Sequence, residues 1–399
     1  MAISRRDVLL GSAGALGAAS FSSFPAPAIA QSESIKIGNL AAITGPASAP
    51  TQGFNRGVAF AVDAINAAGG IKGRKIEMVM RDTQGDPTKA VNATQEMISQ
   101  LKVNCIWGPF NSGEALATTP IMARAKMPNI HPCVVESLID VTKFPNAFRM
   151  APSNNQWDDA VRNYVLNILK AKKVAVVGDT TGYGVSAVGA SVAAFKKDGA
   201  DVVYSANIDA TQPDMTPDML RMKNAGAEAI VVWSVSTGGE SRMFNTRAAM
   251  GWDVPFVGHP SMASGEIAGL VEKPENWKKV YAIGYKSCSY DSSGKLPPKS
   301  EDLVARLKKA NVALNDTLLW WVAGGVDAIE LFAKAVEATG ATDGAGIIAY
   351  LNTINKYPGY FGTYTWNATQ HNGYPTAEVV MSEASTAKDG TFALAPGYS

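Results

Sequence analysis

Cysteine and histidine are scarce in this 399-residue sequence, with three of each. Cys105, Cys133 and Cys288 form no C-x-x-C pair and no Cys/His spacing that is typical of a metal site. Because their number is odd, a disulfide would still leave one thiol unpaired, and we expect buried free cysteines. The histidines are equally far apart and bring no paired carboxylates with them. The sequence therefore predicts no metal.

The common motifs of enzymes are also missing. There is no H-E-x-x-H, no P-loop and no G-x-S-x-G, and Ser112 lacks the glycine two positions before it. Gly182, Gly184 and Gly189 have the wrong spacing for a dinucleotide fingerprint. These absences favour binding over catalysis, with no cofactor.

Charge of one sign and long apolar runs are lacking as well. The chain has 36 basic and 35 acidic residues, and 34 of each remain without the first thirty residues. This near-zero net charge argues against a nucleic-acid partner and against a surface that binds anionic lipid. After residue 30 no apolar run is long enough to span a bilayer, so we expect a soluble chain.

The first thirty residues are typical of an export signal. Arg5 and Arg6 precede a short Gly/Ala-rich apolar stretch, and Ala28 and Ala30 form an A-x-A cleavage site before Gln31. The pattern predicts a twin-arginine signal at residues 1–30, the alternative being an ordinary signal with two arginines. Since no cysteine stands at the cleavage point, the mature chain is expected to be periplasmic without a lipid anchor.

The rest of the chain alternates between strand and helix patterns at the pace of βαβ units. The rhythm runs from residue 35 to about residue 113 and restarts at residue 173. The tail at 361–381 reads as strands around an Asn372-Gly373 turn. We predict an α/β protein of two doubly wound lobes with mainly parallel sheets, whose strand ends face a shared cleft.

Three segments at predicted strand ends carry polar groups that suit a small ligand. The loop at 108–113 leads into a helix, so its amides and the Ser112 hydroxyl can bind a carboxylate. Residues 131–135 end the next strand, and Tyr183 follows a strand of the other lobe. Each has a plain alternative: a helix cap, a buried histidine at His131, and a turn tyrosine.

A series of short motifs resembles a known family. The run I-N-x-x-G-G-I-x-G-R at 65–74 is a specific marker of the leucine/isoleucine/valine-binding family of periplasmic solute-binding proteins, which serve ATP-driven importers. The resemblance covers nearly the whole mature chain. It also includes Thr44-Gly45-Pro46, Asp82-(x3)-Asp86-Pro87, Gly108-(x3)-Ser112, Phe148-Arg149, Tyr183-Gly184 and Phe361-Gly362.

The resemblance implies two lobes that close over a small ligand through three hinge crossings. The lobes would comprise residues 31–151 plus 285–360 and residues 152–284 plus 361–399. The implied partner is an ABC permease/ATPase complex, and the implied oligomeric state is a monomer. Candidate crossings are residues 150–153, 281–286 and 359–363, where small residues can absorb a rotation.

In relatives that bind amino acids, one lobe holds the ligand carboxylate and the other offers an acidic residue to the ammonium. The first role falls here on Ser112 and on residues 133–135. The stretches that match the second role, 233–237 and 258–261, contain no carboxylate, and Glu136 and Glu240 are the nearest alternatives.

The missing carboxylate affects which ligand the site can bind, because burying an ammonium group without a charged partner costs several kcal/mol. The ligand is then a branched-chain amino acid or, as the missing acid favours, a small apolar or aromatic carboxylate. Trp233 and Trp320 or Trp321 are candidates for pocket walls, or else core residues. A ligand-sensing module is the alternative function, and an enzyme is disfavoured. The predicted site comprises Ser112, His131, Cys133, Val134, Val135, Tyr183, Trp233, Ser236, His259 and Trp320.

Overall fold

The computed structural model describes residues 33–45 and 47–398. The predicted export signal lies outside these residues, as does Pro46 of the Thr44-Gly45-Pro46 motif. The strands are β1 (Ile35–Ala41), β2 (Ile76–Asp82), β3 (Cys105–Trp107), β4 (Asn129–His131), β5 (Ala147–Arg149), β6 (Lys173–Gly178), β7 (Asp201–Asn207), β8 (Ala229–Trp233), β9 (Phe256–Gly258), β10 (Val280–Tyr285), β11 (Tyr357–Pro358), β12 (Thr363–Tyr364) and β13 (Val379–Glu383). The α-helices are α1 (Ser48–Ala67), α2 (Pro87–Ser99), α3 (Ser112–Arg124), α4 (Asn154–Asn163), α5 (Gly182–Lys197), α6 (Thr216–Asn224), α7 (Thr237–Ala249), α8 (Gly265–Ala268), α9 (Pro298–Lys309), α10 (Leu319–Thr339) and α11 (Gly344–Leu351).

Two sheets organise the chain. The first has the order β2-β1-β3-β4-β5 and is parallel throughout. The second has the order β13-β10-β9-β8-β6-β7, in which only β13 runs antiparallel to its neighbour. The predicted α/β class with two mainly parallel sheets is confirmed.

The sequence predicts a helix start at Asp86-Pro87 and a helix stop at Gly69-Gly70, and the structure has a helix end at both places. Asp86 caps α2 by accepting hydrogen bonds from the backbone N–H groups of Thr88 and Lys89. Gly70 follows α1 with a φ of +80°, and a Cβ there would lie 2.1 Å from the Arg74 carbonyl oxygen. Only glycine suits that position, so α1 ends there.

Helix α10 packs tightly on α1, although it follows strands β6 to β10 of the second sheet in sequence. A Cβ on Gly57 would lie 1.9 Å from the Val322 carbonyl oxygen, and one on Gly325 would lie 2.2 Å from that of Phe54. The helix axes can come this close only because glycine has no side chain. The chain has therefore returned to the first lobe by residue 319.

The three candidate hinge crossings lie in different kinds of secondary structure. Residues 150–153 connect β5 to α4. Residues 281–285 are the greater part of β10, so this candidate crossing lies largely within a strand. Residues 359–363 form the turn between β11 and β12, where the buried carboxylate of Asp327 accepts from the N–H groups of Tyr360 (2.7 Å) and Phe361 (2.8 Å). The lobe boundaries themselves stay predictions.

In the tail, β12 and β13 lie in the segment that reads as strands, but the prediction of an Asn372-Gly373 turn between them is wrong. Strand β12 pairs with β11, and β13 pairs with β10. The Asn372-Gly373 segment runs beside β5, since the Arg149 N–H donates to the His371 carbonyl and the Gly373 N–H donates to the Arg149 carbonyl (2.9 and 3.0 Å). Pairing with a strand more than 200 residues earlier replaces the local turn.

The cysteines are as expected. Cys105, Cys133 and Cys288 are all free and buried.

Candidate ligand-binding site

A small cavity lies between the two lobes, beyond the carboxyl ends of their strands. About 250 Å³ there is not filled by protein atoms, and part of this space is open to the solvent. Ser112, Val134, Tyr183 and His259, four of the predicted residues, are among those that line it. The full lining is Phe110, Asn111, Ser112 and Val134 from the first lobe, and Trp157, Tyr183, Val235 and His259 from the second.

The first lobe contributes the start of α3. Asn111 caps the helix by accepting from the Gly113 N–H (3.0 Å), and Ser112 is its first residue. Ser112 is buried, and its Oγ lies 3.7 Å from the Cys133 Sγ, a weak donor. The hydroxyl and the free amides of this first turn suit an anionic group.

Of residues 131–135 at the end of β4, only Val134 lines the cavity. His131 is fully buried, neither ring nitrogen has a hydrogen-bond partner in the described part of the chain, and burial lowers its pKa to about 3. Cys133 sits behind Ser112. The Val135 carbonyl accepts from Nη1 of the buried Arg149 (2.9 Å). These three residues are therefore neighbours of the cavity wall rather than part of it.

The second lobe contributes an aromatic wall. Tyr183 is the second residue of α5, and its ring centroid lies 5.2 Å from that of His259. The ring centroid of Trp157 on α4 lies 5.3 Å from that of His259. The Trp157 Nε1–H donates to the Tyr285 hydroxyl (2.9 Å). The Tyr183 hydroxyl is buried and has no hydrogen-bond partner within residues 33–45 and 47–398, and burial raises its pKa well above the usual value. It is thus a neutral group available to a ligand.

The remaining predicted residues do not line the cavity. Trp233 lies inside β8 with no exposed surface. Ser236 caps α7 by accepting from the Gly239 N–H (3.2 Å). Trp320 packs edge-on against Phe54 and Tyr285 and borders a different small cavity. These side chains serve the core and a helix cap, which sequence spacing alone does not distinguish from a pocket wall.

Four lining residues were missed from the sequence. Phe110, Asn111 and Val235 belong to segments that the sequence marked as ligand loops, so only the choice within each loop was incomplete. Trp157 lies on α4, which the helix pattern did not reveal. Its signal was the capping box of Ser153 and Gln156, which the structure contains.

No carboxylate lines the cavity within residues 33–45 and 47–398. Glu136 points to the backbone N–H of Asn155 (2.9 Å) and lies 3.8 Å from the Arg149 guanidinium. Glu240 is fully buried and bonds Ser261 at 2.5 Å, and burial raises its pKa well above the usual value. Neither alternative acid therefore faces the cavity as a charged partner.

Helix dipoles add to the preference of the cavity for a negatively charged group. The cavity is bordered by the first turns of α3 and α5, and Val235 stands two residues before α7. Each helix N-terminus carries a partial positive charge and unpaired amides. A cavity with these ends and no carboxylate side chain favours an anion.

A sequence model of the family described as periplasmic binding protein matches residues 34–389. The chain belongs to the periplasmic binding protein family. Members of this family bind solutes, so the expectation of a binding protein rather than an enzyme agrees with its membership.

Relatives of this periplasmic binding protein support the resemblance seen in the sequence. Leu/Ile/Val-binding protein homolog 3 of Brucella melitensis is 24% identical over 346 residues, 86% of this chain and 90% of the relative. The branched-chain amino acid transporter substrate-binding protein LivJ of Streptococcus pneumoniae, solved with isoleucine, has a TM-score of 0.77 at 24% identity, covering 90% of this chain and 97% of LivJ. A Rhodopseudomonas palustris solute-binding protein, solved with 4-hydroxybenzoate, has a TM-score of 0.74 at 21% identity, covering 91% of this chain and 95% of that protein.

These neighbours share the fold of this periplasmic binding protein while their ligands differ. Across the described part of the chain, no helix is both long and apolar enough to cross a bilayer. Because the ligands of these neighbours differ, the fold alone does not identify the ligand of this protein, and the residues that line the cavity have to indicate its class.

Proposed function

We propose that this protein is the extracytoplasmic binding component of an ABC importer for a small carboxylate with an apolar or aromatic body and no ammonium group. Capture occurs between the lobes, closure buries the ligand, and the closed form delivers it to the permease. The twin-arginine pattern at residues 1–30 supports export to the periplasm, and family membership supports transport.

One observation carries the ligand class: among the described residues, those that line the cavity offer hydrogen-bond donors and aromatic surface but no carboxylate side chain. Ser112 and the α3 amides suit a carboxylate, while Phe110, Trp157 and Tyr183 suit an apolar body. An α-ammonium enclosed here would lose its hydration without gaining a charged partner. Similar folds hold isoleucine in one relative and 4-hydroxybenzoate in another, so the fold is compatible with either chemistry.

Titration calorimetry with two sets of probes tests the ligand class. Benzoate, 4-hydroxybenzoate and 3-methylbutanoate form the first set, and leucine, isoleucine and valine form the second. We expect saturable binding from the first set and none from the second. Binding of leucine with an affinity equal to or greater than that of the acids would overturn the proposal.

The Ser112→Ala variant tests where the carboxylate binds. Loss of a hydrogen bond to a charged group should weaken binding of the acid about tenfold. Ser264→Ala is the matched control, because Ser264 is a buried serine that caps α8 outside the cavity. It should lower thermal stability and keep the affinity. Equal affinities in the two variants would mean that the carboxylate binds elsewhere.

A further inference from the structure

A chain of hydrogen bonds runs from a buried acid to the cavity wall. Glu240 Oε1 lies 2.5 Å from the Ser261 Oγ, which lies 2.7 Å from His259 Nδ1. Glu240 is on α7, and Ser261 belongs to the 3₁₀ turn Pro260–Ala263 that His259 caps. All three residues are at most 1% exposed, and His259 lines the cavity.

The geometry assigns the hydrogens in this chain. The backbone N–H of Ser261 donates to His259 Nδ1 (3.1 Å), so Nδ1 carries a lone pair and no hydrogen. The Ser261 Oγ lies 2.7 Å from that same nitrogen and 2.9 Å from the Ser234 carbonyl oxygen, and neither of these acceptors has a hydrogen to donate. The single hydroxyl hydrogen serves these two acceptors, so in the 2.5 Å contact the protonated acid of Glu240 is the donor.

The other nitrogen of His259 is set as a consequence. A neutral imidazole with an unprotonated Nδ1 carries its hydrogen on Nε2. Nε2 takes part in none of the hydrogen bonds found among the described residues, and the ring lines the cavity. Burial lowers the pKa of His259 to about 3 and raises that of Glu240, which agrees with both groups being neutral.

The surroundings keep this arrangement. Tyr183 on α5 faces the ring, and its raised pKa keeps it neutral. Asp179, at the end of β6, is occupied by the N–H groups of Thr181 and Val235. Glu266 on α8 accepts from the Thr237 hydroxyl. These carboxylates have their own donors, and neither is hydrogen-bonded to His259.

We propose that Glu240 and Ser261 hold His259 as a neutral Nε2–H donor, so that His259 donates a hydrogen bond to an oxygen of the ligand and disfavours an ammonium. This inference rests on the proposed function and narrows its ligand class. The ligand carries, besides its carboxylate, a carbonyl or hydroxyl oxygen, as a 2-oxo or 2-hydroxy acid does. Glu240 and Ser261 are positioning residues, because they act through His259.

Matched pairs of ligands test the selection. Phenylpyruvate and phenylalanine differ in an oxo group against an ammonium, and 4-methyl-2-oxopentanoate and leucine form a second pair. We expect the oxo acid to bind at least about 100-fold more tightly in each pair, because a donor facing a donor leaves both unpaired. In His259→Gln this ratio should fall below about tenfold, since a free amide can present either its oxygen or its nitrogen.

The tautomer is measured directly by nitrogen NMR of the histidine rings in the wild-type protein without ligand. We expect the His259 signals of an unprotonated Nδ1 and a protonated Nε2, unchanged from pH 5 to pH 8. Glu240→Gln, whose amide can donate to Ser261 as the protonated acid does, should keep that tautomer and the ligand ratio. Glu240→Leu should lose the fixed tautomer.

The outcomes separate the two proposals. A hydrogen on Nδ1, or titration of His259 between pH 5 and pH 8, overturns the relay even if carboxylates bind. The expected tautomer together with equal affinities for oxo and amino acids overturns the selection. If leucine binds and none of the acids without an ammonium group does, the proposed function is overturned instead. The wild-type spectrum decides the relay even if a variant fails to fold.

Discussion

Ser112, Tyr183 and His259 reach the cavity in the same way, although they are far apart in sequence. Each follows the loop or turn after a parallel strand and stands in, or caps, the first turn of a helical segment. The carboxyl ends of parallel strands lie at one edge of a sheet, so such residues converge when two sheets face one another. Their residue types then set the chemistry.

Glu114 gives a prediction about pH at the scale of one residue. It lies in the first turn of α3 with 1% of its surface exposed, and burial raises its pKa to about 7, with Asp82 and Asp86 adding to the effect. The folded form therefore binds this proton more tightly than the unfolded chain. The protonated side chain therefore contributes fully to the free energy of unfolding below about pH 4.3, and this contribution is lost as the pH rises towards 7.

Glu114→Gln removes this titration without changing the shape of the side chain. Relative to the variant, the wild type should lose roughly 3 kcal/mol of unfolding free energy between pH 4.5 and pH 7.5. Urea unfolding of both proteins at several pH values measures the difference. A difference that stays constant with pH would show that Glu114 ionises normally.

At the scale of elements, two strands with strong apolar runs were predicted to the residue. The sequence predicts strands at Lys173–Gly178 and Ala229–Trp233, which are the bounds of β6 and β8, because short buried runs bounded by polar residues are a local signal. β5, with three residues, is too short to show any periodicity. α7 begins with Thr237-Gly238-Gly239, which weakens its helical pattern, and it was not predicted.

The close packing of α1 on α10 predicts opposite effects for two glycine substitutions. In Gly57→Ala the new Cβ meets the Val322 carbonyl, so we expect a loss of at least about 2 kcal/mol. Gly189 on α5 is exposed with nothing within 4 Å of such a Cβ, so Gly189→Ala should gain about 0.5–1 kcal/mol.

Thermal unfolding of both variants measures these changes, and Gly189→Ala serves as the control for the mutation itself. Tolerance of Gly57→Ala without a fall in melting temperature would show that α1 and α10 can move apart freely.

At the scale of the whole molecule, the lobes meet at the starts of α3 and α5. A Cβ on Gly182 would lie 3.8 Å from the Cα of Gly113, on the opposite lobe. This separation is compatible with a disulfide, whose Cα atoms are about 5.5–6 Å apart. The contact belongs to the closed form if the lobes separate to admit ligand.

A Gly113→Cys/Gly182→Cys variant should therefore cross-link faster when a bound acid holds the lobes together. Thiol titration against time, with and without benzoate, measures the rate. The single variants are the controls, and the three native cysteines are buried. Equal rates with and without a ligand that calorimetry shows to bind would contradict closure on binding.

The sequence by itself determined the alternation of strands and helices, several helix caps and the family, because these depend on periodicity and motifs within short stretches of chain. It also located the loops of the site and the absence of an acid in them. Only the tertiary structure decided which side chains line the cavity, since neighbours in one loop point to opposite sides. It placed Trp233 in a strand core and Glu240 behind Ser261. It also paired residues 371–373 with β5, because contacts between residues far apart in sequence outweigh a local turn signal.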